Sequence, residues 1–234
     1  MADETGYARP ELLVETDWLQ AHLDDPGLRI VDCDQIDVFR RAHIPGAVGI
    51  PVDHYIKDPS DPHRVMPPEG FADLMAGMGI GDDTTVVAYD ASGSLYAARF
   101  WWLLNLHGHT NVKVLNGGWT KWLTEGHPAS IEILSVARET FTPRFNADLI
   151  CTLDQAKASI DDPSVVILDV RSDGEWTGEN RRNGRHGGHV PGAVHLEWLN
   201  FVTAPPLRTF KPAAELRAML ADVGVTPDRA VVTY

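Results

Sequence analysis

Apolar positions in this chain follow two alternating rhythms. Short continuous runs, at Leu28 to Asp32, Ala47 to Ile50, Val86 to Tyr89, Asn111 to Leu115 and Val165 to Asp169, have the length of buried strands. Between them, apolar residues recur at helical spacing. Trp18, Leu19 and Leu23 make one such stripe, and Phe71, Leu74, Met75 and Met78 another; Leu95 to Leu106, Leu153 to Ile160 and Pro212 to Val223 continue the series. Asp25-Pro26-Gly27, Pro45-Gly46, Gly108, Gly126 and Asp162-Pro163 punctuate these segments. Thr16 is placed to cap the first helix, and Phe39 to Ile44 reads as a helical turn. The proline-bearing stretch 51–67 reads as a loop, residues 1–10 as a loose tail, and residues 129–149 as a linker without period. Strands alternating with helices predict an α/β architecture with mostly parallel sheet.

The pattern occurs twice. Gly79 to Tyr89 reads GIGDDTTVVAY and Gly224 to Tyr234 reads GVTPDRAVVTY, an offset of 145 residues. Leu28 to Asp32 matches Val165 to Asp169, and His43-Ile-Pro-Gly-Ala-Val matches His189-Val-Pro-Gly-Ala-Val. The offsets of 137 and 146 imply nine extra residues between strand and turn in the second copy. Two tandem domains follow, 10–128 and 150–234, joined by the linker; the second is expected to be incomplete as given.

The chemistry centres on Tyr89-Asp90-Ala91-Ser92-Gly93-Ser94, a strand running through a glycine-bearing loop into a helix N-terminus. Such a turn presents N–H groups to an anion. Asp90 is expected to satisfy those groups as a loop cap, and its counterpart in the second copy is position 235, which would follow Tyr234. Asp169 and Arg171 are expected to form an ion pair bracing the second domain, with Asp32 and Asp34 as the altered counterpart. His43 and His189 are expected to fix their Pro-Gly turns through side-chain hydrogen bonds. Cys33, Trp101, Trp102, Trp119 and Trp122 read as packing residues, whereas Trp198 is a candidate pocket wall. Arg181, Arg182 and Arg185, in the extra residues of the second copy, form a basic cluster suited to an anion.

These residues resemble the rhodanese family of sulfurtransferases in its tandem, bacterial form. Phe39-Arg-Arg-Ala-His43-Ile-Pro-Gly-Ala-Val-Gly-Ile50 fits the family's N-terminal signature, and Asn116-Gly-Gly-Trp119-Thr-Lys-Trp122 is similar to its C-terminal one. The resemblance implies a catalytic cysteine at position 235 and a non-catalytic first domain, with Asp90 at the nucleophile position. It further implies a thiolate that takes sulfane sulfur from thiosulfate and passes it, as a persulfide, to cyanide or a thiol, with no cofactor. The stretch Arg171-Ser-Asp-Gly-Glu175-Trp176 resembles the bacterial thiosulfate type and departs from vertebrate-type rhodaneses and mercaptopyruvate sulfurtransferases, which place an arginine near Glu175. Three other readings stand beside the thiosulfate enzyme: a non-catalytic rhodanese-like binding or regulatory module, a 3-mercaptopyruvate sulfurtransferase, and a phosphatase on the same fold.

Composition narrows the partners. A net charge of −13 argues against a nucleic-acid or anionic-membrane surface and makes a local basic pocket necessary for an anionic substrate. Two cysteines, Cys33 and Cys151, make no disulfide framework, and Met1-Ala-Asp-Glu lacks a signal peptide's basic start. A cytoplasmic monomer without a metal site is the expectation, its partners a small anionic sulfur donor and a thiophilic acceptor.

Overall fold

The computed structural model describes residues 6–182 and 184–234. The chain divides into two compact units. The first comprises Arg9–Leu149 together with Ala204–Thr209; the second comprises Ile150–Thr203 and Phe210–Tyr234 with a short N-terminal piece ending at Ala8.

The first unit runs β1 (Leu13–Val14), α1 (Thr16–Ala21), β2 (Leu28–Asp32), α2 (Ile36–Phe39), β3 (Ala47–Gly49), β4 (Lys57–Asp58), β5 (Asp61–Val65), α3 (Pro68–Gly77), β6 (Thr85–Tyr89), α4 (Leu95–Leu106), β7 (Val112–Leu115) and α5 (Gly118–Thr124). Its main sheet has the order β1-β7-β6-β2-β3, parallel throughout. Parallel strands are covered on both faces by their crossover helices, which is why β6 is apolar without alternation. Val86, Val87, Ala88 and Tyr89 are all fully buried. One face packs Leu19, Phe39, Ile44, Tyr89 and Trp122. The Trp122 ring is fully enclosed, and its indole N–H donates to the Pro128 carbonyl at 2.7 Å.

The second unit runs α6 (Leu153–Ser159), β8 (Val165–Asp169), α7 (Asp173–Thr177), β9 (Val194–His195), α8 (Ala213–Asp222) and β10 (Ala230–Thr233), with sheet order β10-β8-β9, again parallel. The two copies share one register: Leu28 pairs with Thr85, and Val165, 137 residues on, pairs with Ala230. β6 has β7 on its far side, whereas β10 ends its sheet among the described residues. Leu153, Ile160, Val231 and Tyr234 are correspondingly exposed.

Several local expectations are corrected. Thr16 is not the cap but the first residue of α1; Glu15 precedes it, and the Thr16 hydroxyl donates to Glu125. The first helical turn after β2 lies at Ile36–Phe39, upstream of the expected 39–44, because Gln35 with extended ψ starts it directly after the strand. Within 51–67 a small antiparallel hairpin, β4 with β5, replaces the expected loop. Of the four tryptophans read as core, only Trp122 is fully buried; Trp101, Trp102 and Trp119 are half-buried. The linker lacks regular elements until a single turn at Ala147–Leu149, yet it is hydrogen-bonded along the first unit.

The glycine that opens α5 ties this fold to the loop after β6. Gly118 has φ +51°, and a Cβ there would lie 2.1 Å from the Asp90 carbonyl oxygen. That oxygen accepts the Trp119 N–H at 2.9 Å. Gly118→Ala is expected to cost more than about 2 kcal/mol of unfolding free energy in urea, combining left-handed strain with the backbone clash. Gly126→Ala, also left-handed at φ +79° but with open space around its Cβ, is the matched control and should cost only about 1 kcal/mol. Equal losses would show that contact with Asp90 contributes nothing.

Candidate functional site

β6 ends at Tyr89, and the chain must turn before α4 begins at Leu95. It does so through Gly93 at φ +75° and Ser94 at φ +69°, which point successive N–H groups inward. Asp90 collects them. Its Oδ1 accepts from Ser92 N at 2.7 Å and Ser94 N at 2.9 Å; its Oδ2 accepts from Tyr96 N and Ala97 N, both at 2.8 Å. Two of these donors belong to the first turn of α4, where N–H groups lack intrahelical partners. The loop is thus an anion cradle whose anion is the protein's own side chain, 1% exposed.

Two further carboxylates stand beneath it. Asp34 Oδ2 accepts from Ala91 N at 2.9 Å. Asp32 Oδ1 accepts from Asp34 N at 2.9 Å, and its carboxylate also takes the Tyr89 hydroxyl. Burial pushes the Asp32 carboxyl up to about 7, with the Asp34 and Asp90 charges adding, against the Tyr89 hydroxyl and Asp34 N–H. Burial and the Asp90 charge likewise push Asp34 up to about 6. Cys33 between them is fully buried, and burial together with all three carboxylates drives its thiol upward. A thiolate there is electrostatically disfavoured.

The second unit carries the same frame with one charge reversed. Tyr234 N donates to Leu168 O at 3.2 Å, and Val170 N to Tyr234 O at 3.1 Å, as Cys33 N donates to Tyr89 O at 2.8 Å. The Tyr234 hydroxyl accepts from Val190 N at 2.9 Å, as the Tyr89 hydroxyl accepts from Ile44 N at 3.1 Å. Each tyrosine also hydrogen-bonds to the aspartate ending the neighbouring strand, Asp32 or Asp169. Where the first unit has Asp34, the second has Arg171. Its Nε and Nη2 bind the Asp169 carboxylate at 2.9 and 2.5 Å, Nη2 also donates to Gly188 O at 2.9 Å, and the guanidinium lies 4.9 Å from the Tyr234 ring centre. Burial pushes the Asp169 carboxyl up, but the Arg171 hydrogen bonds and charge, with the Tyr234 hydroxyl, outweigh it and hold it below its ordinary value.

The histidines of the two turns differ in setting. His43 Nδ1 lies 2.8 Å from Phe39 O and Nε2 3.0 Å from Glu132 O, under the linker. His189 Nδ1 lies 3.0 Å from Trp176 O, its ring stacks on Trp176 at 3.4 Å, and it is exposed. On its other side Trp176 stacks on His195 at 5.0 Å.

The three basic residues of the insertion are all exposed, and one of them is paired with a carboxylate. Arg182, at φ +46°, grips Glu175 through Nε at 2.6 Å and Nη2 at 2.9 Å. Glu175 is buried, also accepts the Ser172 hydroxyl at 2.7 Å, and is held below its ordinary value by the Arg182 hydrogen bond first. Arg181 and Arg185 are exposed, and Arg181 O accepts Gly184 N at 2.8 Å. Trp198 is half-buried at the head of a short turn, Trp198–Phe201, with its N–H on Val170 O at 2.9 Å. Sequence reasoning missed the tyrosine bridges and the Glu175–Arg182 pair. The Ser172-x-x-Glu175 capping box was a legible signal that Glu175 is local structure.

Two sheets of one register, each with a tyrosine hydroxyl tied to the aspartate ending the neighbouring strand, define a duplicated α/β domain. Residues 15–125 and 152–234 both match the Rhodanese-like domain, and the chain belongs to that family of sulfurtransferases. It is 35% identical to the sulfur carrier protein TtuD of Thermus thermophilus, over 98% of this chain and 84% of that protein. It is 35% identical to the thiosulfate sulfurtransferase of Bos taurus, over 88% and 75% of the two chains. Among solved structures, SseA from Escherichia coli, described as a 3-mercaptopyruvate sulfotransferase, superposes with a TM-score of 0.84 at 26% identity, covering 95% of this chain and 87% of that one. The expected tandem family and mostly parallel α/β fold hold. No helix among the described residues is long and apolar enough to cross a membrane.

The carboxylate charges give a pH dependence with opposite signs in the two units. Asp32 has a folded value of about 7 against an ordinary 3.8, so between roughly pH 4 and 7 the unfolded chain releases a proton that the folded first unit keeps. The first unit therefore loses stability as pH rises through that window. Asp169 contributes stability that is present above its ordinary value and lost as pH falls through its lower folded value. Asp32→Asn should reduce the pH slope of the first unit's urea midpoint between pH 4 and 7, leaving a remainder from Asp34. An unchanged slope would place the proton elsewhere.

Proposed function

We propose that this protein transfers sulfane sulfur from thiosulfate to cyanide or a thiol acceptor, using a cysteine at position 235. The observation that carries this reading is the charge reversal between Asp34 and Arg171. In the first unit the loop residue Ala91 donates its N–H to Asp34, and Asp90 fills the cradle. In the second, the residue equivalent to Asp34 is a cation bound to Asp169 beneath Tyr234. A thiolate following Tyr234 would meet the Arg171 guanidinium, ion-paired with Asp169, rather than three carboxylates, and a neighbouring cation favours the thiolate. The names of the Bos taurus and Thermus thermophilus relatives support a sulfur-handling role.

In the proposed cycle the thiolate attacks the outer sulfur of thiosulfate. The S–S bond of the donor breaks, sulfite leaves with the bonding pair, and the enzyme holds a persulfide. Cyanide or a thiolate then attacks the outer persulfide sulfur and regenerates the thiolate, with no net oxidant or reductant. Arg181 and Arg185 supply charge for the donor's oxygens, Trp198 a wall, and Arg182 acts through Glu175 by fixing the insertion. The position near which vertebrate-type rhodaneses and the mercaptopyruvate type carry an arginine is Glu175 here, buried against Arg182. This resembles the bacterial thiosulfate type and weakens a reading on mercaptopyruvate, the donor named for SseA. The two cysteines and the small anionic donor suit a cytoplasmic monomer. A second reading, a non-catalytic rhodanese-like module, draws on Asp90, because the first loop holds no nucleophile.

Thiocyanate formation tests this. A chain extending beyond Tyr234 with cysteine at 235 should turn over by double displacement, while residues 1–234 alone should form none. In the active protein, Arg185→Ala should raise KM for thiosulfate about tenfold with kcat little changed, the loss of one charged hydrogen bond made in ground and transition states alike. Comparable turnover by residues 1–234 would overturn the proposal.

A further inference from the structure

The linker is fastened to the first unit over a pair of buried histidines. Between residues 137 and 146 it has no regular element, yet four of its N–H groups are held: Glu139 N by Ala76 O at 3.1 Å, Thr142 N by Asp82 Oδ1 at 2.7 Å, Arg144 N by His107 O at 2.8 Å, and Asn146 N by Leu106 O at 2.7 Å. In return Asp82 N donates to Thr140 O at 3.0 Å. Two of these acceptors, Leu106 O and His107 O, lie at the C-terminal end of α4, where carbonyls lack helical partners.

Beneath this segment lies an aromatic stack that includes the two imidazoles. His107, 0% exposed, lies face to face on Phe71 at 3.9 Å and 11°, with the linker's Phe145 edge-on at 5.6 Å. His109, 5% exposed, sits 5.8 Å from the linker's Phe141, which is itself buried and contacts Phe71 at 5.7 Å. Nδ1 of His107 is 2.8 Å from Leu103 O. The Nε2 atoms of both rings are enclosed without a well-aligned partner.

We propose that residues 137–146 form an acid-released strap, held closed by neutral His107 and His109 and opened when a proton on either ring drives that ring toward water. A charged imidazolium enclosed by phenyl rings loses its hydration without gaining a counter-ion in contact, so the open arrangement becomes preferred. Burial lowers the pKa of both rings from the ordinary 6.5, with backbone acceptors opposing. The strap's contribution is therefore complete above about pH 6.5 and lost as pH falls through the folded values.

The charged neighbours do not reverse this. Asp82 faces His109 and partly offsets its burial, and Arg144 lies against Gly108 between the two histidines. Arg138 is paired with Asp73, and Glu139 faces Arg29. Asp82 is held below its ordinary value by the Thr142 hydrogen bonds, so its own protonation lies at lower pH than the histidines'. Release of ten residues would lengthen the free tether between the two units by up to about 35 Å.

Hydrogen exchange of the full chain at pH 7.5 and pH 5.5, corrected for intrinsic rates, tests the strap. The amides of Glu139, Thr142, Arg144 and Asn146 should lose at least tenfold protection at the lower pH, while amides of Val86 to Ala88 in β6 keep theirs. In His107→Phe combined with His109→Gln, the loss should fall below threefold. Should that variant fail to fold, histidine side-chain NMR of the parent replaces it: both rings should titrate below 6.5, with strap amides exchanging faster at the same midpoint. Unchanged strap protection in the parent, an undiminished loss in the folded variant, or histidines titrating with the strap still closed would each overturn the proposal.

Discussion

A carboxylate surrounded by N–H groups is the interaction on which the first unit is built. Asp90 joins the loop after β6 to the first turn of α4 by four hydrogen bonds, and its own carbonyl holds the start of α5 through Trp119. Strand, loop and two helices thus meet on one residue. Gly118 has no side chain because that carbonyl lies where a Cβ would be. The left-handed Ser94 costs about 1 kcal/mol or more for its backbone, and the charge-assisted hydrogen bonds offset that.

The two units show how a shared frame can be set for different chemistry. Strand register, tyrosine bridge and Pro-Gly turn coincide, so Tyr89 and Tyr234 stand over equivalent ground. Asp34 and Arg171 differ by two units of charge at one position of that ground. Their consequences appear in opposite directions: Asp32 is pushed up to about 7, whereas Asp169 is drawn below its ordinary value. A carboxylate cluster suits a loop filled by Asp90. Under the proposed function, a guanidinium suits a loop that holds a thiolate and receives a dianion.

Much of this was legible from residue order. The apolar runs placed β2, β6 and β8 because parallel strands buried on both faces need no alternation. The 145-residue repeat placed Tyr89 and Tyr234 at equivalent strand ends. Side-chain partnership across distance was not legible. Arg182 is close to two other arginines in sequence, but the left-handed turn of the insertion sends its guanidinium to the buried Glu175, although all three arginines remain exposed. The linker, aperiodic in sequence, is fastened by N–H groups to carbonyls at the ends of α3 and α4 and to Asp82, a pairing that leaves no hydrophobic period. The hairpin at Lys57 to Val65 was hidden because its strands are short, polar and proline-bearing.

The central claim is that the first loop is an anion cradle filled from within. Chemical rescue measures this directly. Asp90→Gly removes the carboxylate and leaves its four N–H donors facing the vacated space, a shape that formate matches. The account predicts that formate raises the melting temperature of Asp90→Gly well beyond any effect on the parent protein, and that chloride at equal ionic strength does not. Equal responses of variant and parent to formate would contradict it.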